Sequence, residues 1–330
     1  MKILIIGAAG MVGAKLTKRL ADEGQLNGEA ITAIHGFDVV EASMPSSGSI
    51  SFAASAGDIA DQATVEKLVA DKPDVIFHLA AIVSGEAEVE FDKGYAINMD
   101  GTRYLLEAIR AQGDDYCPRL VFTSSIAVFG APFPDKIDDD FFLTPLTSYG
   151  AQKAIGELLL ADYSRKGFVD GVGIRLPTIT VRPGKPNKAA SGFFSGIIRE
   201  PLAGQEAILP VSTDVRHWVA SPAAAVGFLM HAATMDTAML GARRNLTMPG
   251  LSITVGEMIE ALKRVAGEKT ASLIRHEPDE AIIRIVDGWP RNFDASRAEE
   301  VGFKADADFD SIIRAHIADE EQAGRLAKAG

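Results

Sequence analysis

Residues 147–154 read TSYGAQKA and place Tyr149 and Lys153 four positions apart, just ahead of the apolar run IGELLLADY. On a helix that spacing puts both side chains on one face. A free phenol titrates near ~10 and is a poor base at neutral pH. A cation one turn away stabilises the phenolate, lowers that value and lets the pair move a proton. The bland alternative is a packed ring beside a solvated lysine. Among the five tyrosines only Tyr149 has a lysine four residues on.

A second constellation lies at the start of the chain. Gly7, Gly10 and Gly13 stand in GAAGMVG, between the apolar run KILIIG and a segment with Met11, Val12, Leu16 and Leu20 at helical spacing. A strand that turns through glycines into a helix aims free backbone N–H groups at a pyrophosphate, so this turn predicts dinucleotide binding. Asp38 ends the next strand candidate, AITAIHGFD. It can accept from a ribose 2′-OH and repels a 2′-phosphate, and its neighbours Val39 and Val40 bring no cation, which favours NAD over NADP. Asp58, in GDIAD, suits either the adenine edge or a helix cap.

Strand and helix candidates alternate around these residues. Strands are expected at 2–7, 30–38, 49–55, 74–81, 119–125 and 172–176, and helices at 61–72, 91–113 and 148–167. This predicts an α/β fold, a Rossmann-type doubly wound parallel sheet, with a smaller C-terminal α/β substrate-binding lobe. The division expected is 1–178 for the NAD-binding domain and 179–330 for the lobe, with a return segment near 215–234. The 330 residues are 47% hydrophobic and carry a net charge of −12. That excess of acid argues against nucleic acid or an anionic membrane as partner. Cys117 is the only cysteine, which excludes an intrachain disulfide framework and fits the cytoplasm. The six histidines are scattered, so no metal is expected. No apolar run spans a membrane, and MKILIIGAAGMVG reads as a buried strand rather than a signal peptide. His78 reads as a strand-end histidine, and the acid run KIDDDFF (136–142) as a solvated loop.

GAAGMVG, HLAA (78–81), FTSSIAVFG (122–130) and SYGAQKA (148–154) occur in an order that resembles the extended short-chain dehydrogenase/reductase family, which includes nucleotide-sugar epimerases and dehydratases. The resemblance covers nearly the whole chain and implies Ser125, Tyr149 and Lys153 as catalytic residues. Ser125 would hydrogen-bond the reacting oxygen, and Lys153 would also hold the nicotinamide ribose. It implies that NAD lies along Gly7, Gly10, Met11, Val12, Gly13, Asp38, Asp58, Ile59, Leu79, Ala80 and Ala81. Asn98 is grouped with these as a helix-to-sheet tie. The helices at 95–112 and 149–166 carry apolar residues on more than one face, Leu105, Leu106 and Ile109, then Ile155, Leu158 and Leu159. One face must cover the sheet, and the resemblance implies that the other pairs in a homodimer.

Where many nucleotide-sugar members read Arg-x-x-Asn-Val-Tyr-Gly-Pro, this chain reads RLPTITVRPG, with Thr178 in place of the asparagine. The following residues are rich in cations and hydroxyls. This wording, with VRHWVASP and WPRNFDASRA, resembles a branch of the family that oxidises the C2 hydroxyl of a four-carbon sugar acid with NAD. The expected substrate residues are Ser84, Ser125, Thr178, Arg182, Lys185, Asn187, Ser191 and Arg199. Arg182, Lys185 and Arg199 compete for the substrate carboxylate. A nucleotide-sugar epimerase with tightly held NAD is the alternative.

Overall fold

The computed structural model describes residues 1–45, 50–184 and 190–325. Seven strands form one parallel sheet: β1 (Lys2–Ile6), β2 (Ala33–Asp38), β3 (Ser51–Ala56), β4 (Val75–His78), β5 (Arg119–Ser125), β6 (Asp170–Leu176) and β7 (Asn245–Thr247). Their spatial order is β7-β6-β5-β4-β1-β2-β3. The chain runs outward through β2 and β3, then crosses to the other side of β1. The crevice between the ends of β1 and β4 is therefore the topological switch point, where such sheets bind ligands.

The run KILIIG is apolar throughout because both faces of β1 are covered. Ile3 and Ile5 enter one core and Leu4 and Ile6 the other, as the two-residue period of a strand requires. The first core lies under α1 (Met11–Glu23) and takes in Leu16 and Leu20. The second lies under α2 (Gln62–Val69), α3 (Gly101–Arg110) and α4 (Ser148–Arg165), with Val65, Leu105, Ile109 and Leu160. A further helix, α5 (Pro222–Thr234), returns to the first core with Val226 and Leu229. The lobe has its own core, built from Phe194, Ile197, Val219, Met258, Leu262 and Ile312. No helix among the described residues is long and apolar enough to cross a membrane.

Asn245–Thr247 forms the outer strand of the sheet, paired with Gly173–Arg175. Two local expectations need correction. The helix expected at 91–113 is interrupted: Phe91–Gly94 is α-helical, Tyr95–Asp100 makes a π-helical turn, and α3 follows. The acid run is not simply solvated. Asp139 is buried between Arg175 and Arg297, and Ile137 is buried and bridges to Phe293. Of the apolar residues on the two helices, Leu105, Leu106 and Ile109 are fully buried against the sheet, whereas Leu158 is 66% exposed.

Candidate active site

The three glycines of the first turn have different jobs. Gly7 has φ +98°, and a Cβ on it would stand 2.7 Å from the Ala80 nitrogen at the end of β4. A Cβ on Gly13 would stand 2.1 Å from the Gly7 carbonyl oxygen, so only glycine lets α1 press against the turn. Gly10 differs: the nearest atom to its Cβ would be the Gly7 oxygen at 3.4 Å, an ordinary contact. The protein itself therefore leaves Gly10 open, and the space in front of it suits a group that approaches the backbone. Gly10 caps α1 without a side chain, and the first turn of the helix has no acid, so its N–H groups face that space unneutralised. Met11 and Val12 lie half-buried in the same turn.

Asp38 is fixed at the mouth of the crevice. Its Oδ2 accepts from the Ala9 N–H (2.9 Å) and its Oδ1 from the Val39 N–H (2.7 Å). A carboxylate has about four acceptor sites, so a ribose diol still finds lone pairs there. Leu79 and Ala80 both donate backbone N–H to the Ile6 carbonyl, and Leu79 and Ala81 continue into the wall of the adjoining cavity. Asp58 accepts from the Ala60 N–H at 2.9 Å and so acts as a turn cap, while Ile59 is buried beneath Gly101. The residues present fit a dinucleotide, and they make a discriminating expectation. Gly10→Ala should keep a near-normal melting temperature and lose most NAD affinity. Gly13→Ala should lose both, as thermal melts with and without NAD would show.

At the far end of β5 the sequence turns sharply. Ser125 caps the short turn Ile126–Val128, its Oγ accepting from the Ala127 N–H at 3.1 Å. Thr147 caps α4 in the same way, its Oγ1 accepting from the Gly150 N–H at 3.1 Å. A Cβ on Gly150 would stand 2.2 Å from the Ala127 carbonyl oxygen. The glycine after Tyr149 is thus what allows the start of α4 to close on the Ser125 turn. As a result Ser125 and Tyr149 line the same cavity, and the Ser125 hydroxyl is close enough to act on the Tyr149 phenol.

Lys153 is buried one turn further on. Its Nζ donates to the Thr123 carbonyl at 2.8 Å and lies 5.8 Å from the centre of the Tyr149 ring. The electrostatics depart from the sequence reading. Burial pushes the Tyr149 phenol up to about 12, with the Ser125 hydroxyl working against it. Burial also pulls the Lys153 ammonium down to about 7, with Glu157 opposing. The expectation that the lysine lowers the tyrosine is thus not met in this arrangement, because the ammonium is itself desolvated and is turned to a carbonyl.

Behind Lys153 a buried chain of polar groups ties the elements together. Thr123 Oγ1 donates to the His78 carbonyl, and His78 Nε2 lies 2.9 Å from Thr102 Oγ1, which donates to the Asn98 carbonyl. The Asn98 side chain accepts from the Ile82 N–H at 2.9 Å and donates to Gln152 on α4 at 2.8 Å. Asn98, within the π-helical turn, is not part of the cavity wall and ties the loop at Ile82 to α4. Burial lowers His78 to about 3, so it is a neutral structural group.

A cavity of about 330 Å³ opens beside Ser125, Tyr149 and Lys153. Its other wall includes Ser84, Thr178, Arg182 and Ser191, which the sequence singled out. Arg199 is not in that wall. It donates to the Arg182 carbonyl at 2.8 Å and forms an ion pair with Glu200. Lys185 and Asn187 fall outside the described residues. Arg182 has no carboxylate within ion-pair distance among the described residues, and burial together with Arg199 lowers its pKa. The cavity also includes His217, Trp289 and Pro290, which were not among the expected substrate residues. Their sequence signal was the wording VRHWVASP and WPRNFDASRA, which carried the resemblance to the sugar-acid branch, and His217 stood among the polar residues of the substrate half.

A dinucleotide turn at the switch point, facing a Ser–Tyr–Lys cluster across one crevice, defines an NAD-dependent enzyme acting on a CH–OH group. Residues 3–240 match the model of the NAD dependent epimerase/dehydratase family, and the chain belongs to that family. It is an NAD-dependent dehydrogenase within it, and its cofactor is NAD. It is 46% identical to a D-erythronate dehydrogenase of Cupriavidus necator over 97% of this chain and 98% of that one. It is 41% identical to a D-erythronate dehydrogenase of Haemophilus influenzae, over 96% and 99%. Among solved structures, one described as a nucleoside-diphosphate-sugar epimerase from Agrobacterium tumefaciens is 61% identical with a TM-score of 0.95. That likeness covers 98% of this chain and 95% of that one.

Proposed function

We propose that the protein oxidises the C2 hydroxyl of a four-carbon sugar acid, D-erythronate, to the 2-oxo-tetronate with NAD. The observation that carries this reading is the cavity itself. One end holds the Ser125–Tyr149–Lys153 cluster, and the other holds Arg182, a buried-side cation without a carboxylate partner among the described residues. A guanidinium in that state is the natural anchor for a small carboxylate, which it can grip through two N–H groups. The names of the Cupriavidus and Haemophilus relatives support the same substrate.

In this reading Arg182 holds the carboxylate and so places C2 beneath Tyr149. Ser125 donates to the reacting oxygen. Tyr149 takes the hydroxyl proton as the C2–H bond breaks, and Lys153 supplies the ammonium beside the new phenolate. NAD, when bound, accepts the hydride. Gly7, Gly10 and Gly13 would seat its pyrophosphate, Asp38 its adenosine ribose and Lys153 its nicotinamide ribose. Residues 1–178 would then serve the cofactor and 179–330 the substrate, with 215–234 and the β7 strand packed back on the sheet. A homodimer would use the exposed face of α4 around Leu158, and a cytoplasmic location fits a lone free cysteine.

The name of the Agrobacterium structure favours a second reading, a nucleotide-sugar epimerase that returns its hydride. Initial rates at the NADH band separate the two. D-erythronate should reduce NAD. Erythritol, which lacks the carboxylate, should be on the order of 10–100-fold poorer. UDP-glucose and UDP-galactose should not be interconverted. Equal rates for the acid and the alcohol would remove the carboxylate anchor, and interconversion of the UDP-hexoses would establish the second reading.

A further inference from the structure

His217 occupies the second position of the strand Arg216–Ala220 and is buried. Its ring stacks on Phe194, with centroids 4.9 Å apart and planes 7° apart, and Trp289 covers it at 5.3 Å. Nε2 lies 2.7 Å from Thr178 Oγ1. Nδ1 is buried with no hydrogen-bond partner among the described residues, and the Pro290 backbone raises the ring's affinity for a proton. Burial holds the imidazole down at about 4, so at neutral pH it is uncharged and carries one ring proton.

Which nitrogen carries that proton decides what the cavity presents. Nε2 already faces Thr178, so the Pro290 carbonyl is the neighbour of Nδ1. A lone pair aimed at a carbonyl oxygen is repelled, and an N–H is attracted. The proton therefore belongs on Nδ1, and Nε2 accepts the Thr178 O–H. A threonine hydroxyl has one hydrogen and two lone pairs. With the hydrogen committed to His217, Thr178 shows only lone pairs to the cavity. It can accept from a substrate hydroxyl, and it repels a carboxylate.

We propose that the Thr178–His217 pair selects substrates that carry a hydroxyl beyond the reacting carbon and rejects those with a second carboxylate there. The inference rests on the proposed oxidation of a small hydroxy acid and deepens it. The site would read a polyhydroxy acid, with Arg182 taking the carboxylate and Thr178 a distal hydroxyl. His217 is a positioning residue: it acts by orienting the hydrogen of Thr178.

The test compares three four-carbon acids of the same C2 configuration as NAD-reducing substrates: D-erythronate, 2-hydroxybutanoate without the distal hydroxyls, and malate with a distal carboxylate. Wild type should prefer D-erythronate over 2-hydroxybutanoate on the order of 10–100-fold in kcat/KM, largely through KM, with malate poorer still. Thr178→Val should lower kcat/KM for D-erythronate far more than for 2-hydroxybutanoate, so that the ratio between the two falls towards one. His217→Phe keeps the stack but frees the Thr178 hydrogen, so malate should gain relative to D-erythronate. His217→Gln, which can present an acceptor near Nε2, should restore the wild-type order. Equal loss for both monocarboxylic acids in Thr178→Val, or wild-type oxidation of malate as fast as D-erythronate, overturns the inference alone. Failure of wild type to reduce NAD with D-erythronate overturns the proposed substrate and this inference together.

Discussion

Tyr149→Phe is expected to lower turnover ~10²–10⁴-fold, the usual cost of removing a general base, while NAD affinity stays at the wild-type level. The ring still packs at the start of α4, and only the proton acceptor is lost. Initial rates and calorimetric NAD binding measured on the same preparation would show the split. The pH profile makes the expectation sharper. With Lys153 near 7 and Tyr149 near 12, the pair loses its first proton around neutrality, from the ammonium. The reactive arrangement, phenolate beside ammonium, has the same number of protons as neutral lysine beside neutral phenol. The two are tautomers, so their ratio does not depend on pH, and the titration belongs to the pair. Oxidation should therefore rise with pH through about 7 and then level off, well short of the tyrosine's own value. Tyr149→Phe should abolish that rise in whatever residual rate remains. A wild-type rate that kept climbing tenfold per pH unit towards 10 would mean that the phenol ionises alone, without the lysine.

Arg175→Met should be the most destabilising of the single substitutions considered, at ~3–5 kcal/mol by chemical denaturation. The Arg175, Glu157 and Asp139 side chains are only 6%, 1% and 5% exposed. Arg175 donates from Nε and Nη2 to Glu157 at 2.9 and 2.8 Å, and from Nη1 to Asp139 at 3.0 Å. Ser124 donates to the same Glu157 at 2.5 Å, and the Thr247 N–H to Asp139 at 3.0 Å. Methionine fills much of the space but leaves two buried carboxylates short of a cation. The exposed pair Arg264–Asp310 is the control: Arg264→Ala should cost no more than ~1 kcal/mol. A similar small loss for Arg175→Met would mean that water reaches the network.

The parts of the fold that can be read locally were legible. A strand buried on both faces shows as an unbroken apolar run, Gly13 is demanded by contacts within one turn, and Gly7 by its own φ of +98°. The spacing of Tyr149 and Lys153 shows that they share a helix face, but it left the packed-ring alternative open. The rest depends on distant partners. Asp138, Asp139 and Asp140 are indistinguishable in sequence. Asp138 caps its own loop at 2.9 Å, Asp140 pairs with Arg243 at the surface, and Asp139 is buried because Arg175 and Arg297 reach it from 36 and 158 residues away. Arg182, Lys185 and Arg199 were equally plausible anchors in sequence, where nothing shows that Arg199 pairs with Glu200. The shift of Tyr149 departs from the sequence-based expectation for the same reason: spacing gives the charge partner but not the depth of burial, and burial is the larger cause.

The late return of the chain to the sheet bears on how far the two halves could be exchanged with other proteins. A fragment ending near residue 178 would contain the glycine turn and the Ser–Tyr–Lys cluster, and by length it resembles a transplantable cassette. It would lack Asn245–Thr247, which covers the flank of β6, and the α5 side chains Val226 and Leu229, which close the first core. Such a piece would present a bare strand ready to pair with another copy, and Asp139 would be left without Arg297. The sheet is therefore finished only when the last third of the polypeptide has been made. During synthesis it would have to wait for residues near 300, and a stop before them would leave Asp139 without Arg297.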